Sequence, residues 1–132
     1  MLRNRHDRQA LFRALWVFEN PLRVAFCLWR RNAHGHLCLR TPAGRVTLYL
    51  RSFEDLETLV SVFCREDYRV ARDRPLHFLD IGARTGISAV YFLTRNSLNT
   101  VRCYEPDRRN LKLLRENPAE FGARASIVEG AV

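Results

Sequence analysis

Lysine is nearly missing from this chain: Lys112 stands alone against 21 arginines. Guanidinium groups grip phosphate bidentately, so the ratio invites a nucleic-acid reading. The arginines are scattered along the whole sequence instead of being interleaved with aromatics on one face, and codon bias accounts for them more simply. Nucleic acid is therefore not the expected partner. Glycine and proline are also scarce, at 6 and 5 in 132 residues, whereas 47% of the residues are hydrophobic. That balance excludes a collagen-like or disordered chain and fits one compact domain. Cys27, Cys38, Cys64 and Cys103 form no Cys-x-x-Cys pair, which removes the usual signature of a zinc ribbon or a redox dithiol. Reduced, mostly buried thiols in a cytoplasmic protein are expected. His34, His36 and Cys38 alternate and would share one strand face, but no fourth ligand is evident and no metal is assigned.

Long apolar runs are absent as well. The stretch from Ala14 to Trp29 is broken by Glu19, Asn20, Pro21 and Arg23, short of the ~20 continuous apolar residues that cross a bilayer. The first ten residues carry Arg3, Arg5, Asp7 and Arg8 with no apolar core behind them, so no signal peptide is read.

What is present divides the chain in two. Residues 1–51 hold ten arginines against Asp7 and Glu19, a net charge of +8, and the rest of the chain is balanced. Leu11, Leu15 and Phe18, widened by Phe12 and Trp16, predict an amphipathic helix over residues 6–19 that stops at Asn20-Pro21. Its apolar face is expected against the protein's own core and not on a membrane, because interfacial helices with so few lysines are uncommon. Residues 36–40 and 45–50 read as a β-hairpin around Thr41-Pro42-Ala43-Gly44, with Val46, Leu48 and Leu50 alternating inward. Ser52 and Asp55 look like the start of a short helix carrying Phe53, Leu56, Leu59, Val60 and Phe63 on one face.

From Arg74 the pattern becomes strand (76–80), helix (87–94), strand (100–104), helix (108–116) and strand (126–132). This alternation predicts a parallel sheet covered by helices. The chain is thus expected as residues 1–73, a basic helix, hairpin and short helix, followed by residues 74–132, an α/β domain.

The first strand of that domain ends in Asp80, and Gly82 and Gly86 follow before a helix begins. Gly82 can turn the backbone sharply at the strand tip, Gly86 can clear a side chain from the path of a ligand, and the helix start offers free N–H donors. A dinucleotide fingerprint has Gly-x-Gly-x-x-Gly and a Walker loop ends in Gly-Lys-Ser/Thr; neither occurs here. An acid at the first strand tip disfavours pyrophosphate and favours a cationic group. S-adenosylmethionine, with an ammonium, a sulfonium and a ribose diol, suits Asp80, the loop amides and a second acid. Glu105 supplies that acid at the end of the second strand, where a carboxylate can accept both ribose hydroxyls, and Pro106 offers a flat surface for adenine. The plainer alternative makes Gly82 and Gly86 turn glycines and Asp80 a helix cap; Glu105 at the matching strand end favours the cofactor. His77 is read as structural, and Asp67 and Tyr68 equally as the end of a helix or as a cofactor contact.

These residues resemble the FkbM-like S-adenosylmethionine-dependent methyltransferases. The resemblance rests on Asp80-Ile81-Gly82-Ala83 with Gly86, on Tyr104-Glu105-Pro106-Asp107 with Asn110, Leu113 and Leu114, and on the upstream Thr41-Pro42-Ala43-Gly44 and Asp67-Tyr68 elements. It spans roughly residues 36–132. It implies a partial Rossmann-like class I methyltransferase fold, with three parallel strands and helices, preceded by the N-terminal helix and hairpin. It implies S-adenosylmethionine as cofactor, held by Asp80, Gly82, Ala83, Arg84, Gly86, Glu105 and Pro106, with Gly130 and Ala131 near adenine. Arg84 stands where the family usually has Asn; its guanidinium could grip the methionine carboxylate or crowd the sulfonium.

The implied reaction is methyl transfer to a hydroxyl on a small molecule or glycan. No residue is assigned as catalytic, since no base is evident. The family fold continues through four further strands, so the expectation is a truncated first half with little or no turnover, an open edge at the third strand and self-association through it. The competing readings are a basic module binding RNA or an anionic surface, and an inactive relic.

Overall fold

The computed structural model describes residues 5–132, so Arg3 lies outside the described residues. Two compact units form where the length alone suggests one: residues up to Thr41 with Arg45–Arg69, and Pro42–Gly44 with Val70–Val132. Each has its own sheet and its own buried side chains.

The first unit begins with α1 (Arg5–Val17) and α2 (Pro21–Arg30). The second of these is absent from the sequence expectation, which reads Asn20-Pro21 only as a stop. The same dipeptide starts a helix: the Asn20 side chain accepts the Arg23 N–H at 3.0 Å, and Pro21, which has no N–H to lose, occupies the first turn. The hairpin β1 (Gly35–Thr41) and β2 (Gly44–Leu50) follows as expected. Leu37, Leu39, Val46, Leu48 and Leu50 are buried on its inner face.

Helix α3 (Phe53–Leu59) starts with a full capping box. The Asp55 N–H donates to Ser52 Oγ, and Asp55 Oδ2 accepts the N–H groups of Ser52 and Arg51. The helix continues as π-helical turns over Val60–Arg65 and ends on Glu66 in the left-handed region. Leu56, Leu59, Val62 and Phe63 close this core, together with Phe18. The apolar face of α1 departs from expectation. Phe18, just beyond the helix, is buried, but Leu11, Phe12, Leu15 and Trp16 stay exposed.

The second unit is β3 (His77–Ile81), α4 (Ile87–Arg95), β4 (Thr100–Glu105), α5 (Arg108–Glu116), a 3₁₀ turn over Ala119–Arg124 and β5 (Ala125–Glu129). The three strands are parallel in the order β3-β4-β5, with Asp80 opposite Cys103 and Glu105 opposite Glu129. This is the expected α/β, partial Rossmann-like arrangement. The final strand ends at Glu129, short of the expected 132, although the Gly130 N–H still reaches the Glu105 carbonyl at 3.1 Å.

The helices cover a single face of the sheet, where Ala89 and Leu93 of α4 and Leu111 and Leu114 of α5 pack on Val101 and Cys103. Successive crossovers of one hand, with the strand order advancing in one direction, put both helices on the same side. On β3 the alternate side chains Leu79 and Ile81 remain exposed, so the largest apolar exposure in this sheet lies on its first strand and not its third.

Two polar side chains tie the layers together. Asn99, fully buried, accepts the Leu76 N–H at 2.8 Å and donates to the Phe92 carbonyl at 2.8 Å. Arg124 donates to the carbonyls of Leu93, Asn96 and Asn99, which serves the C-terminal end of α4.

Candidate cofactor site at the strand ends

Because the three strands are parallel, their C-terminal ends lie together, and the acids at Asp80 and Glu105 fall on neighbouring strands. The loop between β3 and α4 is suspended from β4. The Tyr104 carbonyl accepts the N–H groups of Gly82 at 2.8 Å and Ala83 at 3.1 Å, and Glu105 Oε2 accepts the Arg84 N–H at 2.7 Å. The other oxygen of Glu105 accepts the Asp107 N–H at 2.8 Å. Glu105 is only 4% exposed. A buried carboxylate is tolerated here because two backbone donors replace its water.

Asp80 is half-buried, and its Oδ2 accepts the Ser88 hydroxyl at 2.5 Å. Burial pushes the Asp80 carboxyl above the usual aspartate range; the bond from Ser88 opposes this and the charge of Glu105 adds to it. Burial, reinforced by the Asp80 charge, also pushes the Cys103 thiol up to about 12, so it is an inert core group and not a nucleophile.

The two glycines serve different ends. Gly82 has φ +77° and a Cβ added there would meet nothing within 4 Å, so it turns the chain beside open space. Gly86 has φ +81°, and its Cβ would come within 3.1 Å of Leu114 Cδ1. The missing side chain at Gly86 thus lets the start of α4 pack against α5. Ala83 is buried in the core, so it offers the loop its backbone. Arg84 takes a left-handed φ of +49° although it is not glycine, a conformation held by its bond to Glu105. Pro106 and Ala131 are exposed and Gly130 is half-buried at the end of β5.

Sequence reasoning missed Glu129. It shares the strand-end row with Glu105, but Arg108 at 2.9 Å and Arg115 at 3.7 Å pair with it. Nothing in the sequence marks it, because its place opposite Glu105 depends on the strand register. These three residues line a cavity of about 600 Å³ with Leu111, Lys112 and Glu116. Five of its six lining residues belong to α5, and none to the loop carrying Gly82. Among the described residues no three His, Cys, Asp or Glu side chains gather as a metal site, and no helix is long and apolar enough to cross a membrane.

The residues at the strand ends fit an adenosyl sulfonium cofactor. Each oxygen of Glu105 uses one lone pair on a backbone N–H and has a second lone pair beyond it. Asp80 places negative charge beside a loop whose Gly82 faces open space. No protein-family model matches the chain, and no curated protein matches it. Among solved structures, a candidate RNA methyltransferase from Pyrococcus horikoshii is similar over 42% of this chain, with 29% identity and a TM-score of 0.39. The chain spans 28% of that protein's length.

Proposed function

We propose that residues 77–132 bind S-adenosylmethionine as part of a methyltransferase of the FkbM-like type, with a hydroxyl on a small molecule or glycan as acceptor. The observation that carries this reading is the linkage of Asp80 and Glu105, acids at adjacent strand ends, through a loop whose Arg84 amide is bonded to Glu105. A dinucleotide or triphosphate would bring phosphate charge against these acids, whereas a sulfonium and a ribose diol suit them.

When bound, S-adenosylmethionine supplies an electrophilic methyl group. In this reading Glu105 accepts from the ribose diol, Asp80 faces the cationic end, and the amides near Gly82 position the chain between them. Pro106 and the Gly130-Ala131 segment flank adenine. Catalysis would rest mostly on alignment, with a general base for a hydroxyl acceptor that is not assigned among these residues.

The test is direct binding of S-adenosylhomocysteine, followed by calorimetry and by the melting temperature. Ligand at 100 times its dissociation constant stabilises the fold by about 2.7 kcal/mol. An analogue lacking the ribose hydroxyls should bind at least about tenfold more weakly, since its site leaves Glu105 short of two donors. A folded protein that binds neither ligand, or both equally, rejects the assignment.

A further inference from the structure

The two N-terminal helices carry a surface that the strand-end site does not use. On α1, Leu11, Phe12, Leu15 and Trp16 are exposed at i, i+1, i+4 and i+5, which is one face over two turns. On α2, Leu22, Phe26 and Trp29 are exposed at i, i+4 and i+7. Trp16 is 77% exposed, Trp29 76% and Leu22 82%. The rings of Phe26 and Trp29 lie 6.0 Å apart. Beside the α1 stripe a groove of about 370 Å³ is lined by Leu11 and Ala14 of α1, by Val24 and Leu28 of α2, and by Phe18 and Arg65; Leu22, Phe26 and Trp29 lie on the other side of α2 from it.

Charge identifies what covers this surface. Over residues 8–31 the basic side chains are Arg8, Arg13, Arg23, Arg30 and Arg31, and the one acid is Glu19. Glu19 pairs with Arg45 at 2.8 Å, and Arg13 with Glu66 at 3.2 Å. Arg8, Arg23, Arg30 and Arg31 are exposed around the apolar stripes. An apolar face with tryptophans, bordered by arginines and with hardly any acid, matches the boundary between acyl chains and anionic headgroups. Tryptophan sits well at that level, arginine reaches outward from it, and each nearby cation adds attraction to a negative bilayer. RNA would satisfy the arginines but leave Leu11, Leu15 and Leu22 in water. At 13 and 10 residues the helices are too short to cross a bilayer and suit lying along its surface.

We propose that α1 and α2 form a docking surface for an anionic lipid bilayer, with the stripes of Leu11, Phe12, Leu15 and Trp16 and of Leu22, Phe26 and Trp29 entering the interface. The chain has two tryptophans, and both lie on these stripes, so intrinsic tryptophan emission reports on this surface alone.

The experiment mixes the full chain with vesicles of phosphatidylcholine and phosphatidylglycerol, or of phosphatidylcholine alone, and follows emission and co-sedimentation. The expected result is a blue shift and co-sedimentation with the mixed vesicles, both weakened by added salt. The double variant Trp16→Ser, Phe26→Ser should lose roughly tenfold or more in partitioning, with an unchanged circular dichroism spectrum because both positions are exposed. Arg23→Gln with Arg30→Gln should reduce the preference for phosphatidylglycerol several-fold. Three results overturn the proposal: a folded protein that ignores the mixed vesicles, equal binding to both vesicle types, or a blue shift without vesicles that grows with protein concentration. The last would mean that a second copy covers the surface. Binding to single-stranded RNA without binding to vesicles overturns it as well.

Discussion

The backbone N–H of Arg84 donates to Glu105 Oε2 at 2.7 Å, across 21 positions of sequence, and this bond joins the loop after β3 to the tip of β4. The Asp107 N–H occupies the other oxygen of the same carboxylate. Glu105 therefore shapes the site before any ligand arrives.

Replacing Glu105 with alanine should leave both N–H groups without this acceptor, at a cost of about 2–5 kcal/mol for two lost charge-assisted bonds. Glu105→Gln keeps one acceptor oxygen and should cost less. Urea denaturation of the three proteins at neutral pH checks the order: wild type most stable, then the glutamine variant, then the alanine variant. An alanine variant as stable as the wild type would show that the loop does not hang from Glu105.

Asp80 predicts a pH dependence of opposite sign to that of most carboxylates. Its folded pKa lies above the ordinary aspartate value of about 3.9, because burial disfavours the charge. The native state therefore holds the proton more tightly than the unfolded chain. The contribution of Asp80 is most favourable below the unfolded value and is lost as pH rises through the folded value. Asp80→Asn should gain stability relative to wild type as pH rises across that window, since the asparagine oxygen can still accept from Ser88. Paired denaturation curves from acid to neutral pH would show the gap widening; a constant gap contradicts the shift.

Gly86 and Gly82 should differ in their tolerance of alanine. Both have positive φ, which costs an alanine about 1 kcal/mol or more. At Gly86 the new Cβ also comes within 3.1 Å of Leu114 Cδ1, so that side chain must move by a few tenths of an ångström, an added cost that Gly82 does not carry. Thermal melts should therefore rank Gly86→Ala well below Gly82→Ala. In the proposed cofactor site, however, Gly82→Ala should weaken S-adenosylhomocysteine binding more than it lowers the melting temperature.

The strands and helices of the second unit were legible because each is marked locally. Apolar runs of strand length end at Asp80 and Glu105, and Asp107 caps α5 through the Arg109 N–H. Helix α2 was hidden because Asn-Pro carries two meanings, closing one helix and opening the next. The strand-end acids could be named from their positions, but the partner of each could not. That Glu105 holds the Arg84 amide, and that Glu129 is held by Arg108 and Arg115, depends on a strand register that only the assembled sheet sets.

The sequence by itself determined the order and type of most elements, the placement of Asp80 and Glu105 at strand ends, and the basic character of the first 51 residues. These come from local periodicity, capping residues and charge counts, which need no distant contact. Only the tertiary structure decided that both helices cover one face of the sheet, that Gly86 serves the packing of α4 on α5, and that Trp16 and Trp29 face outward. Periodicity shows that a helix has an apolar side, but whether that side is buried depends on the surfaces that long-range packing brings to it.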